Sequence, residues 1–470
     1  MSTKFHNSAL LAVSILSFNM LGGCASSSIF KAYPKQANVI KEQLETKQYT
    51  LAKSNLNKHR DSNDKILYLM ERGRVAQIAN DRESSIKDYQ EAKKAIAKLE
   101  NRAIISAADT GAKAASLFTN ENAIPYASEP YERIFLYHFQ AMNFLFSNKL
   151  DSALVEVRRA NEEQQLAFHK NEKAITKNKQ KNKDALDENS SFMSHFKSFA
   201  NIAGRVKNSY QNAYTFYASG VIWEIEGKPN DAYIDYKKAL EIFPENIYLQ
   251  QDVIRLAKSL SMRRDLAKFK KQFKVKTNPS VKNGGELIVF FEHGFAPVKQ
   301  QIKVPLSFHK SLASVAFPSY SSKWQLTSPL AIRDKQSNTL LGTTDPIVYV
   351  QALAAQALWE DLPSMMLRQA LRIPAKKEAV DKVDDVFGPM ATVAATIANY
   401  ATEKADLRSW LTLPNDAQIY RGTLPSKEYL LQLTNGISSN TVPLKIEPGK
   451  KTLLRVVSTG KTMHTSIIVL

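Results

Sequence analysis

The residue with the clearest chemistry is Cys24, the only cysteine in a chain of 470 residues. A thiol is a nucleophile, and a solitary one has no partner for an intramolecular disulfide and no companions for a thiolate zinc site. It directly follows Leu21, Gly22 and Gly23, and an apolar stretch from Ala9 to Met20 precedes these. In that setting the thiol is the natural acceptor of a diacylglyceryl group. Cleavage after the small Gly22-Gly23 pair would expose Cys24 for further acylation. With several chains, at roughly 0.8 kcal/mol per buried methylene, anchoring to a membrane is stable.

Other constellations are sparse. The eight histidines are scattered, and no HExxH, Cys/His cluster, nucleophile elbow, P-loop, dinucleotide fingerprint or EF-hand is present. No metal or cofactor is expected. Asp384/Asp385 and Glu162/Glu163 are adjacent carboxylates in helical stretches. Helical neighbours diverge by about 100°, so these pairs read as solvated charges rather than an acid and base across a cleft. An enzyme acting on cell-wall or lipid substrate would have to draw on Glu292, His293 and Arg408, and Arg408 reads more simply as a lock between a helix and a sheet. For binding, the polar and aromatic stretch with Asn120, Asn122, Tyr126 and Glu132 suits a loop at a concave face. Arg158 and Arg159 suit a peptide carboxylate. Turn capping and intramolecular ion pairs are the competing uses of these residues.

The elements that must carry these residues fall into three parts. Lys4, the apolar stretch and Leu21-Gly22-Gly23-Cys24 match a signal peptide with the lipobox of bacterial lipoproteins, so residues 1–23 are expected to be removed and 24–32 to form an acylated tether. Ala25 and Ser26, rather than Asp, follow the cysteine, which by the sorting rule of enteric bacteria resembles an outer-membrane protein. Residues 33–275 have helical patterning with a repeat of roughly 34 residues, the tetratricopeptide (TPR) period. The clearest unit, 213–246, has Gly220, Trp223, Gly227, Ala232, Tyr236, Ala239 and Pro244 at the small, aromatic and terminating positions. Units at 66–99 and 134–167 follow more loosely, interrupted by an expected loop at 107–130 and by a lysine run from Lys170 to Lys183, which suits an anionic-surface contact or, more simply, a solvated helix extension or mobile loop. From 276 to 470 the period switches to strands at 286–292, 301–306, 313–317, 329–333, 416–420, 429–433, 442–446, 452–457 and 464–469, with helices at 347–371 and 389–403. The first two strands are expected to form a hairpin. The expected fold is therefore an α-helical TPR-like solenoid followed by an α+β, β-sandwich-like C-terminal domain.

The segments LYLMERGRVAQIANDRESSIKDY (67–89), ALVEVRRAN, GELIVFFEHGFAP (285–297) and ADLRSWLTLP (405–414) resemble an uncharacterised family of Gram-negative TPR-containing envelope lipoproteins. That resemblance implies a place in the envelope and no assigned reaction. A net charge of +19 favours anionic partners, although it also suits a lysine-rich solvated surface. The expectation is an outer-membrane lipoprotein facing the periplasm and held by acyl chains on Cys24. It would serve as a scaffold for an envelope protein or peptide in the repeat groove, without nucleic acid. Peptidoglycan or another polyanion is the alternative partner.

Overall fold

A computed structural model describes residues 32–107, 124–187, 196–274, 281–308, 311–387, 404–436 and 438–470. Its first part is helical: α1 (Tyr33–Glu45), α2 (Tyr49–Asn57), α3 (Lys65–Ile78), α4 (Arg82–Ala107), α5 (Pro130–Leu145), α6 (Leu150–Asp187), the short α7 (Lys197–Ala203), α8 (Ala213–Ile225), α9 (Pro229–Ile242), α10 (Ile247–Ser259) and α11 (Arg263–Gln272). The helices fold back in pairs, α1 on α2, α3 on α4, α5 on α6, α8 on α9 and α10 on α11. One local device makes each of these turns. Lys47, Asn80, Asn148, Gly227 and Ser261 all have positive φ. The residue after each returns its N–H to the carbonyl five positions back, as in Gln48 to Gln43 and Lys228 to Trp223. This is the Schellman closure, in which a left-handed residue satisfies the last carbonyls of a helix and reverses the chain.

Small residues let the paired helices approach. A Cβ on Gly73 would collide with the Tyr89 ring, and one on Gly220 with the Tyr236 ring. Each glycine stands sixteen residues before its tyrosine, so the two pairs close in the same way. Helix starts are fixed by side chains. Asn212 accepts the N–H of Thr215, Asn246 accepts that of Leu249, and Glu129 with Glu132 forms a reciprocal capping box on α5.

The second part is rich in sheet: β1 (Gly284–His293), β2 (Gln300–Phe308), β3 (Ser311–Ser319), β4 (Ala331–Asp334), β5 (Thr339–Thr343), β6 (Asp345–Tyr349), α12 (Val350–Phe387), β7 (Asp416–Pro425), β8 (Glu428–Thr434), β9 (Ser439–Lys445), β10 (Lys451–Thr459) and β11 (Thr462–Val469). The strands make a five-stranded sheet ordered β11-β10-β1-β7-β6, a four-stranded sheet ordered β5-β4-β8-β9, and the hairpin β2-β3. Two expectations are corrected here. β1 does not pair with β2; it lies parallel to β10 and antiparallel to β7. The apolar run beginning at Ile347 is not wholly helix, because residues 345–349 pair with β7 before α12 starts at Val350. The expected helix at 389–403 and most of the expected loop at 107–130 lie outside the described residues.

The five-stranded sheet lies across α2 and the first helices of the later pairs. Side chains alternate along each strand, so Glu286, Ile288, Phe290 and Glu292 share one face with Ile419, Arg421, Leu453 and Arg455. That face meets the helices in order. His464 on β11 contacts Tyr49 on α2, Arg455 on β10 reaches Gln77 on α3, Phe290 on β1 packs on Tyr214 of α8, and Pro346 on β6 takes a bond from Asn246 before α10. The opposite face meets the four-stranded sheet, where Tyr420 bonds the carbonyl of Leu341 and Asn435 bonds Ser458. One buried apolar cluster, from Tyr33 to Met463, runs through both parts.

Candidate functional site

Glu292, on the helix-facing side of β1, is fully buried and carries two arginines. Arg455 donates from Nε to its Oε1 at 2.7 Å and from Nη2 to its Oε2 at 2.9 Å, and Arg74 of α3 donates to Oε2. Tyr214 adds a bond to Oε1 at 3.3 Å, while Gln77 joins Arg74, Arg455, the carbonyl of Phe139 and Asn143. The Arg74 guanidinium also lies 4.2 Å from the Phe139 ring centre. Burial pushes the Glu292 carboxyl up, but Arg455 and then Arg74 outweigh it and hold the group at about 2. His138 beside them is held down to about 3, first by burial. A second node lies further along the sheet. Arg421 of β7 bridges Glu224 of α8 at 2.8 Å and Glu286 of β1 at 2.9 Å.

A segment without regular secondary structure, 404–415, runs over the same helices before β7. Its backbone is gripped by buried carboxylates. Glu132 of α5 accepts the N–H of Trp410 at 2.7 Å, and Glu71 of α3 accepts that of Leu411 at 2.7 Å along with the hydroxyls of Tyr33 and Thr412. Arg408 donates to Asp64 at 2.6 Å, to the carbonyl of Ile124 at 3.0 Å and to Asp406 at 2.6 Å. The indole of Trp410 is enclosed by the rings of Tyr89 and Phe139. The paired helices thus hold an irregular segment on the side that faces the sheet, and that segment belongs to the chain itself.

The residues singled out from the sequence are distributed unevenly over this frame. Leu21, Gly22, Gly23, Cys24, Asn120 and Asn122 lie outside the described residues. Tyr126 and Glu132 come together, with the Tyr126 hydroxyl donating to Glu132, but both are buried and used within the chain. Arg158 stacks on Trp223, 5.1 Å from the ring centre, and Arg159 stands about half exposed near Glu156. The two arginines therefore face different neighbours. Arg408 locks the 404–415 segment to Asp64 at the start of α3 and to the carbonyl of Ile124 ahead of α5. Sequence reasoning passed over Glu71, Arg74, Arg421 and Arg455. The available signal is a lone charge in an apolar run, as in TLLRVVS for Arg455, since such charges rarely enter a core unpaired.

Among the described residues, a His–Asp pair beside a serine stands at the end of β1. His293 Nδ1 lies 3.0 Å from Asp416, and Ser458 is its register partner on β10. Ser458 is buried, however, and its hydroxyl is bonded by Asn435 at 3.2 Å, not by His293. A nucleophile without access and without its base does no acyl transfer. Among the described residues no cluster of His, Cys, Asp and Glu could hold a metal ion. Among them also, no helix is long and apolar enough to cross a membrane. A cavity of about 550 Å³ opens at the helix–sheet seam, lined by Arg205, Phe243, Asp345 and Tyr349 among others.

No family model matches the chain, and no curated protein matches it. Among solved structures it is similar to the TPR2AB-domain:pHSP90 complex of yeast Sti1, at 12% identity over 51% of this chain and 88% of that one, with a TM-score of 0.21. A likeness of that extent leaves the function to be argued from this chain's own contacts.

Proposed function

We propose that the chain is a lipid-anchored scaffold of the bacterial envelope, acylated on Cys24, held at the outer membrane facing the periplasm, and acting by binding other polypeptides. One observation carries the binding role. The helix pairs, read as a TPR-like solenoid, grip a segment without regular secondary structure through carboxylates that take its backbone N–H groups, as Glu132 and Glu71 do for Trp410 and Leu411. Carboxylates set on paired helices can take the backbone N–H groups of a partner peptide in the same way, and a helix array braced by a sheet is preorganised for it. The anchoring role is supported by the Leu21-Gly22-Gly23-Cys24 sequence.

Two measurements test the proposal. Cells fed an alkyne fatty acid should label the wild-type chain and not a Cys24→Ala version, and the latter should leave the membrane fraction. Label retained by Cys24→Ala would remove the anchor. Crosslinking in living cells, followed by isolation of the acylated chain, should give a discrete partner protein. Recovery of cell wall alone, released by salt, would instead favour the polyanion-binding alternative suggested by the charge of +19.

A further inference from the structure

Residues 294–298, which follow β1, are fixed by two backbone bonds. The N–H of Gly294 donates to the carbonyl of Ser458 at 3.0 Å, and that of Ala296 to the carbonyl of Leu413 at 2.7 Å. These residues form one wall of a cavity of about 370 Å³. The other walls come from α1, α7, the residues after β3 and the start of α12, with Lys41, Ile202, Phe295, Val298, Lys323 and Ala355 in the lining. Gln351 fixes the α12 side, accepting the N–H of Gln325 at 3.1 Å and donating to the carbonyl of Gln325 at 2.9 Å.

Charge in this lining has one sign. It holds Lys41 and Lys323 and, among the described residues, no carboxylate. Lys41 is only partly buried, and Lys323 is exposed. Lys41 Nζ lies 3.5 Å from the carbonyl of Ala296 and 5.2 Å from the centre of the Phe295 ring, and both of these residues border the cavity. Among the described residues no carboxylate comes within ion-pair distance of Lys41. Burial pulls its pKa down to about 8, and the more distant Glu71 and Glu45 do not offset this. Glu71 is itself engaged by Tyr33, Thr412 and the N–H of Leu411. An ammonium with one long bond beside an apolar space gains when an anion arrives, and mostly apolar cavities with a few polar groups are where small molecules bind.

We propose that this cavity binds a small amphiphilic anion, whose carboxylate or phosphate accepts a hydrogen bond from Lys41 Nζ while its apolar chain lies against Ile202, Phe295, Val298 and Ala355. The exposed Lys323 adds positive charge beside it. The site goes beyond polypeptide binding and does not depend on it. Its test is calorimetric titration of residues 24–470 carrying Cys24→Ala, which keep every described residue and leave out the detergent that acyl chains would require. Octanoate and octyl phosphate are the anionic probes, and they separate a carboxylate headgroup from a phosphate one. Octanol is the neutral control. At least one anion should bind saturably, one to one, and octanol at least about tenfold more weakly, as the loss of a charged hydrogen bond entails. Lys41→Met should weaken the anion about tenfold for the same reason, and Lys41→Arg should keep most of the affinity. Lys323→Met, at an exposed position, should weaken it about threefold. Absence of saturable binding by both anions, octanol binding as tightly as they do, or affinity unchanged in Lys41→Met with circular dichroism intact overturns the site. The comparison of anion with alcohol needs no variant, so it decides the matter even if Lys41→Met fails to fold.

Discussion

At the scale of single residues, the seam is held by charges that only make sense together. Removing Glu292 leaves Arg74 and Arg455 buried without their anion, and breaking a buried pair of this kind costs about 3–5 kcal/mol. Glu292→Gln should therefore lower the urea midpoint strongly. A triple replacement of Arg74, Glu292 and Arg455 by apolar residues of similar size should cost less than the single change. Equal losses in the two variants would show that shape, not charge, governs the node. His464 gives a pH dependence of known sign. Burial holds it down to about 4 from an ordinary 6.5, while Tyr49 and Thr459 bond its two nitrogens. The unfolded chain takes up this proton near pH 6.5 and the folded chain only near 4. The stabilisation is complete above 6.5 and lost as pH falls to 4. Other buried groups titrate too, so the test is a difference. His464→Gln should gain on the wild type by about 1.4 kcal/mol per pH unit over that window. A constant difference between the two chains would contradict the assignment. None of these pairings is legible in the sequence, because Arg74 and Glu292 are 218 positions apart and nothing local links them.

At the scale of elements, the helix pairs were the most legible feature, because their determinants are local. Asn80, Asn148 and Gly227 are residue types that favour the left-handed turn, whereas Lys47 and Ser261 adopt it without advertising it. Strand positions were also legible from alternation, yet pairings were not. β1 finds its parallel partner in β10, near the other end of the chain, and only the fold brings them together. β5 and β6 escaped notice because they are short, and Ile347 to Val350 continues without a break into the apolar face of α12. The glycine–tyrosine contacts allow a direct check of how the pairs close. Gly→Ala inside a helix ordinarily adds up to about 1 kcal/mol, but at Gly73 the new methyl meets the Tyr89 ring. Gly73→Ala should cost about 1–3 kcal/mol. In a Tyr89→Ala background the same change should become neutral or favourable, as a double-mutant cycle by urea denaturation would show. Additivity of the two changes would mean that the helices have room to part.

At the scale of the whole molecule, the helical part and the sheet-rich part share one core, and the buried carboxylates Glu71 and Glu132 each take a backbone N–H from the opposite half. Each part alone would expose an apolar face together with charges that lack partners, which the helix pairs cannot repair by themselves. The complete chain should accordingly unfold in one cooperative transition. Residues 24–274 expressed alone should melt broadly, bind a hydrophobic dye, and lose amide protection in α3, α5 and α8 first, since these helices lie under the sheet. Hydrogen exchange read out by mass spectrometry separates the alternatives. If the helical part alone keeps full protection and a sharp melt, the sheet and the 404–415 segment are a removable cover. The face they occupy would then be open to exchange with a partner, and binding would be expected on the inside of the helix pairs. If protection is lost, the cover is part of the fold, and partners have to act on the surface that the intact chain leaves open.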